Sequence, residues 1–178
     1  MIKLAEGSFN KVFLLTMNTG EQIVARIPHP NAGPAYYTTA SEVATMHYLR
    51  TKLELPIPKV IDYSCNATNP VGSEYILMER VTGVNLSKKW DTLNEQKKNK
   101  IVDRLAQIQC KLLTVQFSSY GNLYFAADVD KALCAPRMYN EPSPDDTTYC
   151  IGSTTDSGFW EPDRTASRGP CMILCSVI

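Results

Sequence analysis

The sequence predicts an α+β fold, in which an antiparallel sheet with one helix precedes a second, amphipathic helix and a loop-rich region. β-rich runs joined by turn residues indicate the sheet, and apolar residues at three-residue steps indicate the first helix. A longer apolar stripe at helical spacing indicates the second helix. The chain has 178 residues, of which 44% are apolar and 20% charged, so it is long enough for a sizeable core.

The sheet is predicted from four β-rich runs, which are residues 9–15, 22–27, 60–63 and 74–80. The first two are separated by Asn18-Thr19-Gly20-Glu21, which has hairpin turn chemistry and makes them an antiparallel pair. The last two are joined by a turn containing Asn69-Pro70-Val71-Gly72. With the helix between the two pairs, the expected order is strand, strand, helix, strand, strand.

The first helix is predicted from about Thr39 to Lys52. Its apolar residues recur at three-residue steps, at Val43, Met46 and Leu49. We expect Thr39 or Ser41 to cap it. The segment Leu55-Pro56-Ile57-Pro58 excludes helix, because each proline holds the preceding residue in extended geometry.

The second helix is predicted from about residue 93 to 116. Its stripe, expected to be core, is Ile101, Leu105, Ile108, Leu112 and Val115. We expect a first lobe with a hinge at residues 1–83, followed at residues 84–125 by the start of a second lobe with a turn into a short strand. Residues 126–170 are expected to be a loop-rich insertion, and residues 171–178 an aberrant tail.

A loop near the start has the pattern of a phosphate-binding loop. Residues 4–13 follow the kinase glycine-rich loop G-x-G-x-x-G-x-V, with Gly7 at the second glycine position and Asn10 at the third. Backbone N–H groups of Gly7, Ser8, Phe9 and Asn10 are expected to cradle phosphates in a tight turn, and Asn10 tolerates positive φ. A plain hairpin is the alternative.

Arg26 places a positive charge in the otherwise apolar run Val24-Ala25-Arg26-Ile27. A buried arginine needs an anionic partner, because an unpaired charge is costly to remove from water. Glu42, early on the predicted helix, is the natural partner, and in kinases such a pair holds nucleotide phosphates. The alternative is an edge strand with Arg26 in solvent.

Met78, Glu79 and Arg80 end the last predicted strand, shortly before Gly83. An apolar strand that turns polar and ends in glycine is typical of a kinase hinge, whose backbone meets the adenine edge. An ordinary strand exit has the same appearance.

Five blocks occur in a characteristic order, at residues 7–10, 23–28, 41–42, 55–60 and 77–83. Together they resemble the aminoglycoside phosphotransferase and choline kinase branch of the protein-kinase-like fold. A narrower resemblance, to the fungal proteins named for altered inheritance of mitochondria, rests on residues 25–28, 69–79, 150–152, 159–160 and 168–170.

The resemblance implies that the first lobe is a protein-kinase-like N-terminal lobe that binds ATP. It implies that the loop at residues 7–10 holds phosphates, that Arg26 and Glu42 position them, and that Met78, Glu79 and Arg80 line the adenine. It implies magnesium only in a full-length relative, and it leaves the phosphate acceptor unknown. The narrower resemblance implies a mitochondrial location, although residues 1–7 carry no presequence.

Composition bears on several function classes. Lys+Arg and Asp+Glu number 18 each, so no overall charge favours nucleic acid as a partner. The longest apolar runs, residues 75–78 and 172–175, are too short to span a bilayer. The cysteines lack regular spacing, and we expect free thiols in a reducing, intracellular compartment.

The catalytic half of a phosphotransferase is not recognised in the sequence. The family writes its catalytic acid as His-x-Asp, but neither His29 nor His47 is followed two residues later by Asp. The carboxylate pairs at 128 and 130 and at 145 and 146 are interpreted as turn and solvated residues, so no catalytic or metal-binding residue is assigned.

The sequence beyond Pro170 departs from the family pattern. Residues 171–178 look foreign to it, which predicts a truncated product. The leading hypothesis is an ATP-binding lobe of an ATP-dependent phosphotransferase that is inactive alone. The alternatives are a non-catalytic, pseudokinase-like binding module associated with mitochondria, and an incomplete product that does not fold stably.

Overall fold

A computed structural model of the protein describes residues 1–117, 119–130 and 148–156. It confirms the predicted α+β fold. The strands are β1 (Ile2–Glu6), β2 (Asn10–Thr16), β3 (Gln22–Pro28), β4 (Val60–Ser64), β5 (Tyr75–Glu79), β6 (Asn122–Phe125) and β7 (Tyr149–Gly152). The helices are α1 (Tyr37–Thr51) and α2 (Glu95–Leu113), and the short 3-10 turns Leu86–Lys88 and Trp90–Thr92 precede α2.

Strands β1 to β5 form one antiparallel sheet in the order β1-β2-β3-β5-β4. Strand β3 is therefore central, and the alternative that Arg26 lies on an edge strand is wrong. Strand β1 was not predicted. All five of its residues are exposed, so its side chains give no buried face, and among the described residues its backbone pairs with β2 alone.

Helix α1 begins at Tyr37 and packs on one face of the sheet. Its Val43 forms a buried cluster with Ile76 and Met78 of β5. The predicted caps were wrong, because Thr39 and Ser41 lie buried inside the helix. Tyr36 occupies the cap position, and its backbone N–H donates to a carboxylate distant in sequence.

Strands β6 and β7 form an antiparallel hairpin that packs against α1. Tyr124 and Cys150 of this hairpin are buried with Ala40 of α1. Strand β7, which is four buried residues long, lies within the predicted loop-rich insertion at residues 126–170, most of which lies outside the described residues. So short a run gives little periodic signal. Residues 131–147 and 157–178, with the predicted tail, lie outside the described residues.

Helix α2 begins after Asn94, whose side chain accepts a hydrogen bond from the backbone N–H of Lys97. Its apolar stripe was predicted to be core, but none of its residues is buried by the part of the chain that the structure describes. Leu105 is 52% exposed. Near the end of α2, Lys111 Nζ donates to the carbonyl of Leu53 at 3.0 Å, and near its start Lys98 Nζ lies 5.8 Å from the centre of the Trp90 ring.

Two further predictions bear on the described residues. Cys65 and Cys110 are free thiols, as expected, while Cys134, Cys171 and Cys175 lie outside the described residues. Neither helix in the described ranges combines the length and apolarity that crossing a bilayer requires.

Candidate functional site

The central strand of the sheet carries Arg26 on the face that α1 covers. In an antiparallel pair, directly opposed residues share a face. Arg26 lies opposite Val12 of β2 and Ile76 of β5, and Val24 lies opposite Met78. Arg26 thus lies between apolar residues of both neighbouring strands.

Arg26 forms an ion pair with Glu42 of α1, as the sequence predicted. Their side chains are 24% and 35% exposed, so the pair is partly withdrawn from solvent but still accessible. Nη2 of Arg26 donates to Oε2 of Glu42. Nε of Arg26 is buried and has no hydrogen-bond partner among the described residues. A buried donor without a partner is unfavourable, so the hydrogen-bonding capacity of this guanidinium is not fully used.

Burial raises the pKa of Glu42 above its ordinary value of 4.5, and the positive charge of Arg26 opposes that rise. The two causes act in opposite directions because burial disfavours the carboxylate whereas a nearby cation favours it. The charged form of Glu42 is therefore favoured by the presence of Arg26.

The predicted phosphate loop is a tight turn between β1 and β2. The backbone N–H of Gly7 donates to the carbonyl of Asn10 at 2.9 Å, and the N–H of His29 donates to the carbonyl of Phe9 at 2.8 Å. Asn10 does not use positive φ, because it is the first residue of β2 and pairs with Pro28. A Cβ added at Gly7 would meet nothing within 4 Å, so space is open above the turn.

The charges at this turn are mixed. The carboxylate of Glu6, directly before Gly7, forms ion pairs with Lys3 and, at 4.0 Å, with Lys11. Nε2 of His29 lies 3.6 Å from the same carboxylate. The hydrogen bond from Lys3 lowers the pKa of Glu6, so Glu6 is charged at neutral pH beside its cations.

The three predicted hinge residues have different surroundings. Met78 points into the buried cluster beneath α1, so its side chain faces the core. Glu79 forms an ion pair with Arg50 at 3.0 Å, and its backbone N–H donates to the carbonyl of Lys59 at 2.9 Å. Arg80 is exposed, and its guanidinium donates to Gln22.

The site residues lie in sequence along β3. Glu79 is opposite Ile23 at one end, and Asn10 is opposite Pro28 at the other, with Arg26 between them. At ~3.3 Å per strand residue the two ends are separated by roughly 17 Å. The hinge, the ion pair and the loop are therefore arranged in a line.

Sequence reasoning missed Val12 and Val24 as candidate contacts. They flank Arg26 on its own face of the sheet, opposite it and two residues before it. The period-two alternation of β3 was the signal for Val24, and the strand register, which only the structure supplies, was needed for Val12.

The cavity between α1, the end of α2 and β6 has a volume of about 470 Å³. None of the predicted site residues lines it, so it is separate from the line along β3. The described residues contain no group of three His, Cys, Asp or Glu side chains that suits a metal ion. Asp128 accepts a hydrogen bond from the Tyr63 hydroxyl at 3.2 Å, which gives its carboxylate a structural partner.

Comparison with known proteins gives consistent similarities. Residues 2–146 match the model of the phosphotransferase enzyme family. A subtelomeric hrmA-associated cluster protein of Aspergillus fumigatus is 44% identical over 174 residues, which are 96% of this chain and 33% of that protein. In Candida tropicalis, the mitochondrial protein named altered inheritance of mitochondria protein 9 is 38% identical over 164 residues, 86% of this chain and 26% of that protein.

The protein of the same name in Lachancea thermotolerans is 32% identical over 172 residues, which are 90% of this chain and 28% of that protein. The chain therefore spans a third or less of the length of these relatives.

Proposed function

The chain belongs to the phosphotransferase enzyme family, and from that premise we propose that its sheet and helix α1 form the ATP-binding lobe of an ATP-dependent phosphotransferase. The observation that carries the proposal is the ion pair between Arg26 on the central strand and Glu42 on the helix. In kinases a cation on this strand, held by a helix carboxylate, positions nucleotide phosphates.

The chemistry of Arg26 fits a phosphate group. Glu42 accepts a hydrogen bond from Nη2, while the buried Nε lacks a partner among the described residues. A guanidinium offers several donors in a planar fork, so it binds a carboxylate and a phosphate oxygen together. We propose that Arg26 holds the nucleotide phosphates and that Glu42 fixes the direction of its guanidinium.

The two ends of the line along β3 would hold the remaining parts of ATP. The open turn at residues 7–10 would receive phosphate oxygens on backbone N–H groups other than that of Gly7, which donates to the carbonyl of Asn10. Val12 and Val24 would supply apolar contact to the base. At the hinge, contact with the adenine edge would come from the backbone of Met78, Glu79 and Arg80, since the Met78 side chain faces the core.

Bound ATP would supply the transferable phosphoryl group, and the chain's own residues would bind and orient it. Magnesium would be held only in a full-length relative, and the described residues contain no group of three His, Cys, Asp or Glu side chains suited to a metal ion. We propose that the chain binds nucleotide without catalysing transfer by itself, because no His-x-Asp sequence occurs in it.

The second candidate is a non-catalytic binding module. The charged Glu6 beside the turn disfavours phosphate, and the backbone N–H of Glu79 is already bonded to Lys59. Both observations favour a lobe that has kept its architecture and binds a partner instead of ATP. Since similar proteins carry mitochondrial names, we propose a mitochondrial location for either candidate.

Thermal unfolding of the full chain with and without ATP tests the proposal. ATP at a hundred times its Kd stabilises a protein by about 2.7 kcal/mol, which for a chain of this size raises Tm by roughly 5–10 °C. We expect this rise in the wild type and its loss in Arg26→Ala. Arg104→Ala, which removes an exposed cation on α2, is the matched control and should keep the rise.

The other outcomes separate the candidates. A cooperative transition that does not respond to ATP would favour the binding module. The absence of any cooperative transition would contradict both and support an incomplete product that does not fold stably.

A further inference from the structure

Glu74 joins the first turn of α1 to the start of β5. Its Oε1 accepts a hydrogen bond from the backbone N–H of Tyr36 at 3.0 Å. Its Oε2 accepts one from the hydroxyl of Thr39 at 2.6 Å. Both oxygens of one carboxylate are thus used to hold the N-terminus of a helix that has no side-chain cap of its own.

The conformation of Tyr36 makes this support necessary. Tyr36 has φ of 68°, in the left-handed region that non-glycine residues seldom adopt, and at about 1–3 kcal/mol such a conformation persists only where the surroundings enforce it. A negative charge at a helix N-terminus also interacts favourably with the helix dipole. The Glu74 carboxylate supplies both the hydrogen bond and the charge.

Hydrogen bonds of Asn69 hold the turn that precedes Glu74. Oδ1 of Asn69 accepts from the backbone N–H of Val71 at 2.8 Å, and its Nδ2 donates to the carbonyl of Ser73 at 2.7 Å. Nδ2 also donates to Oγ of Ser64 at the end of β4. These bonds fix the segment immediately before Glu74 against the sheet.

Both partners of the ion pair depend on this short segment. Glu42 lies one helical turn after Thr39, so it moves with the first turn of α1. Ile76, two residues after Glu74, lies directly opposite Arg26 in the sheet. The Glu74 carboxylate therefore connects the backbone that places Glu42 with the backbone that places Arg26.

We propose that Glu74 is a positioning residue for the Arg26–Glu42 ion pair, acting through its hydrogen bonds to Tyr36 and Thr39. The inference deepens the proposed ATP site and rests on it. Glu74 touches no nucleotide itself. It keeps Glu42 within reach of Arg26 and thereby keeps the guanidinium turned toward the phosphates.

Two readouts on the full chain test the proposal. The first is the Kd for ATP, and the second, which needs no nucleotide, is proton exchange at the Arg26 guanidinium measured by NMR. Glu42→Gln gives the exchange rate of an unpaired Arg26. Glu74→Gln keeps the size of the side chain but loses an acceptor oxygen, and we expect about tenfold weaker ATP binding, as for the loss of a hydrogen bond to a charged group. We also expect its exchange rate to approach that of Glu42→Gln.

Matched variants exclude a general loss of structure. Asp62→Asn removes another carboxylate of the same pair of strands, one that accepts from the Tyr75 hydroxyl at 2.9 Å, and should leave both readouts unchanged. Thr39→Ser keeps the hydroxyl and should behave as the wild type, whereas Thr39→Val should reproduce the effect of Glu74→Gln. The Thr39 variants keep the test decisive if Glu74→Gln folds poorly.

The outcomes are distinguishable. Wild-type ATP binding with unchanged Kd and exchange in Glu74→Gln would overturn the positioning role and leave the ATP proposal standing. Faster exchange in Glu74→Gln without ATP binding by the wild type would support the positioning role while the ATP proposal fails. If Asp62→Asn and Glu74→Gln changed the Kd for ATP and the exchange rate equally, the specific role of Glu74 would be overturned.

Discussion

The hydroxyl of Tyr149 on β7 lies 2.6 Å from Nδ1 of His47 on α1. This contact fastens the β6–β7 hairpin to α1. The His47 ring also meets the Phe125 ring edge-on at 5.2 Å, and Phe125 stacks on Tyr149 at 5.5 Å. Helix α1 is therefore held by the sheet that carries Arg26 and also by the hairpin.

Tyr149 is accordingly expected to stabilise the fold through its hydroxyl contact and, separately, through the packing of its ring. Tyr149→Phe keeps the stacked ring but loses the hydroxyl contact, and should lower the free energy of unfolding by about 1 kcal/mol. Tyr149→Ala also loses the buried ring and should cost about 3–5 kcal/mol. Urea unfolding measures both, with the 82% exposed Leu113 changed to Ala as the reference. Equal losses for the two Tyr149 variants would contradict the packing described.

Glu42 is expected to make stability depend on pH. Because burial raises its pKa in the folded state, the folded protein binds a proton more readily than the unfolded chain does. The contribution of Glu42 to stability should therefore be largest below its ordinary pKa of 4.5 and decline as pH rises through the raised value. Relative to Glu42→Gln, the wild type should become less stable as pH rises from 4.5 toward 7.

Urea unfolding of both proteins at several pH values measures this difference. A difference that is constant across the range, or that grows as pH rises, would show that the attraction of Arg26 outweighs the burial of Glu42.

The exposed stripe of α2 should tolerate polar substitution. Leu105 is 52% exposed, so Leu105→Ser should change the free energy of unfolding by no more than about 0.5 kcal/mol, as is usual at the surface. Ile76→Ala, in the cluster between sheet and helix, should cost about 2–5 kcal/mol. A loss above 2 kcal/mol for Leu105→Ser in calorimetry would mean that something covers this face in solution.

Substitution by alanine should destabilise the fold at Gly121 but not at Gly7. At Gly121, next to β6, the added Cβ would lie 2.1 Å from the carbonyl oxygen of Gly152, so Gly121→Ala should cost about 1–3 kcal/mol through overpacking. At Gly7 nothing lies within 4 Å, so Gly7→Ala should leave Tm unchanged. If the turn receives phosphates, Gly7→Ala should nevertheless weaken ATP binding. A Tm loss for Gly7→Ala comparable to that for Gly121→Ala would contradict the open turn.

Much of the large sheet and of the central ion pair was predictable from the sequence. The strands around Ile23 and Leu77 have strong β propensity, and the spacing of Val43 and Met46 marks a helix, because these signals depend on neighbouring residues alone. The pairing of Arg26 with Glu42 followed from electrostatics, since a charge within an apolar strand requires a partner and Glu42 was the natural one nearby.

Only the tertiary structure decided the features that depend on distant contacts. It placed β3 at the centre of the sheet, bonded the N-terminus of α1 to Glu74 and formed a buried strand at Tyr149–Gly152. In the part of the chain that the structure describes, it leaves no residue of α2 fully buried. The periodicity of α2 shows which face is apolar but not whether anything covers it. Sequence thus determined the elements and the charge pair through local propensity and desolvation cost, whereas register and coverage were decided by which surfaces meet when the chain folds.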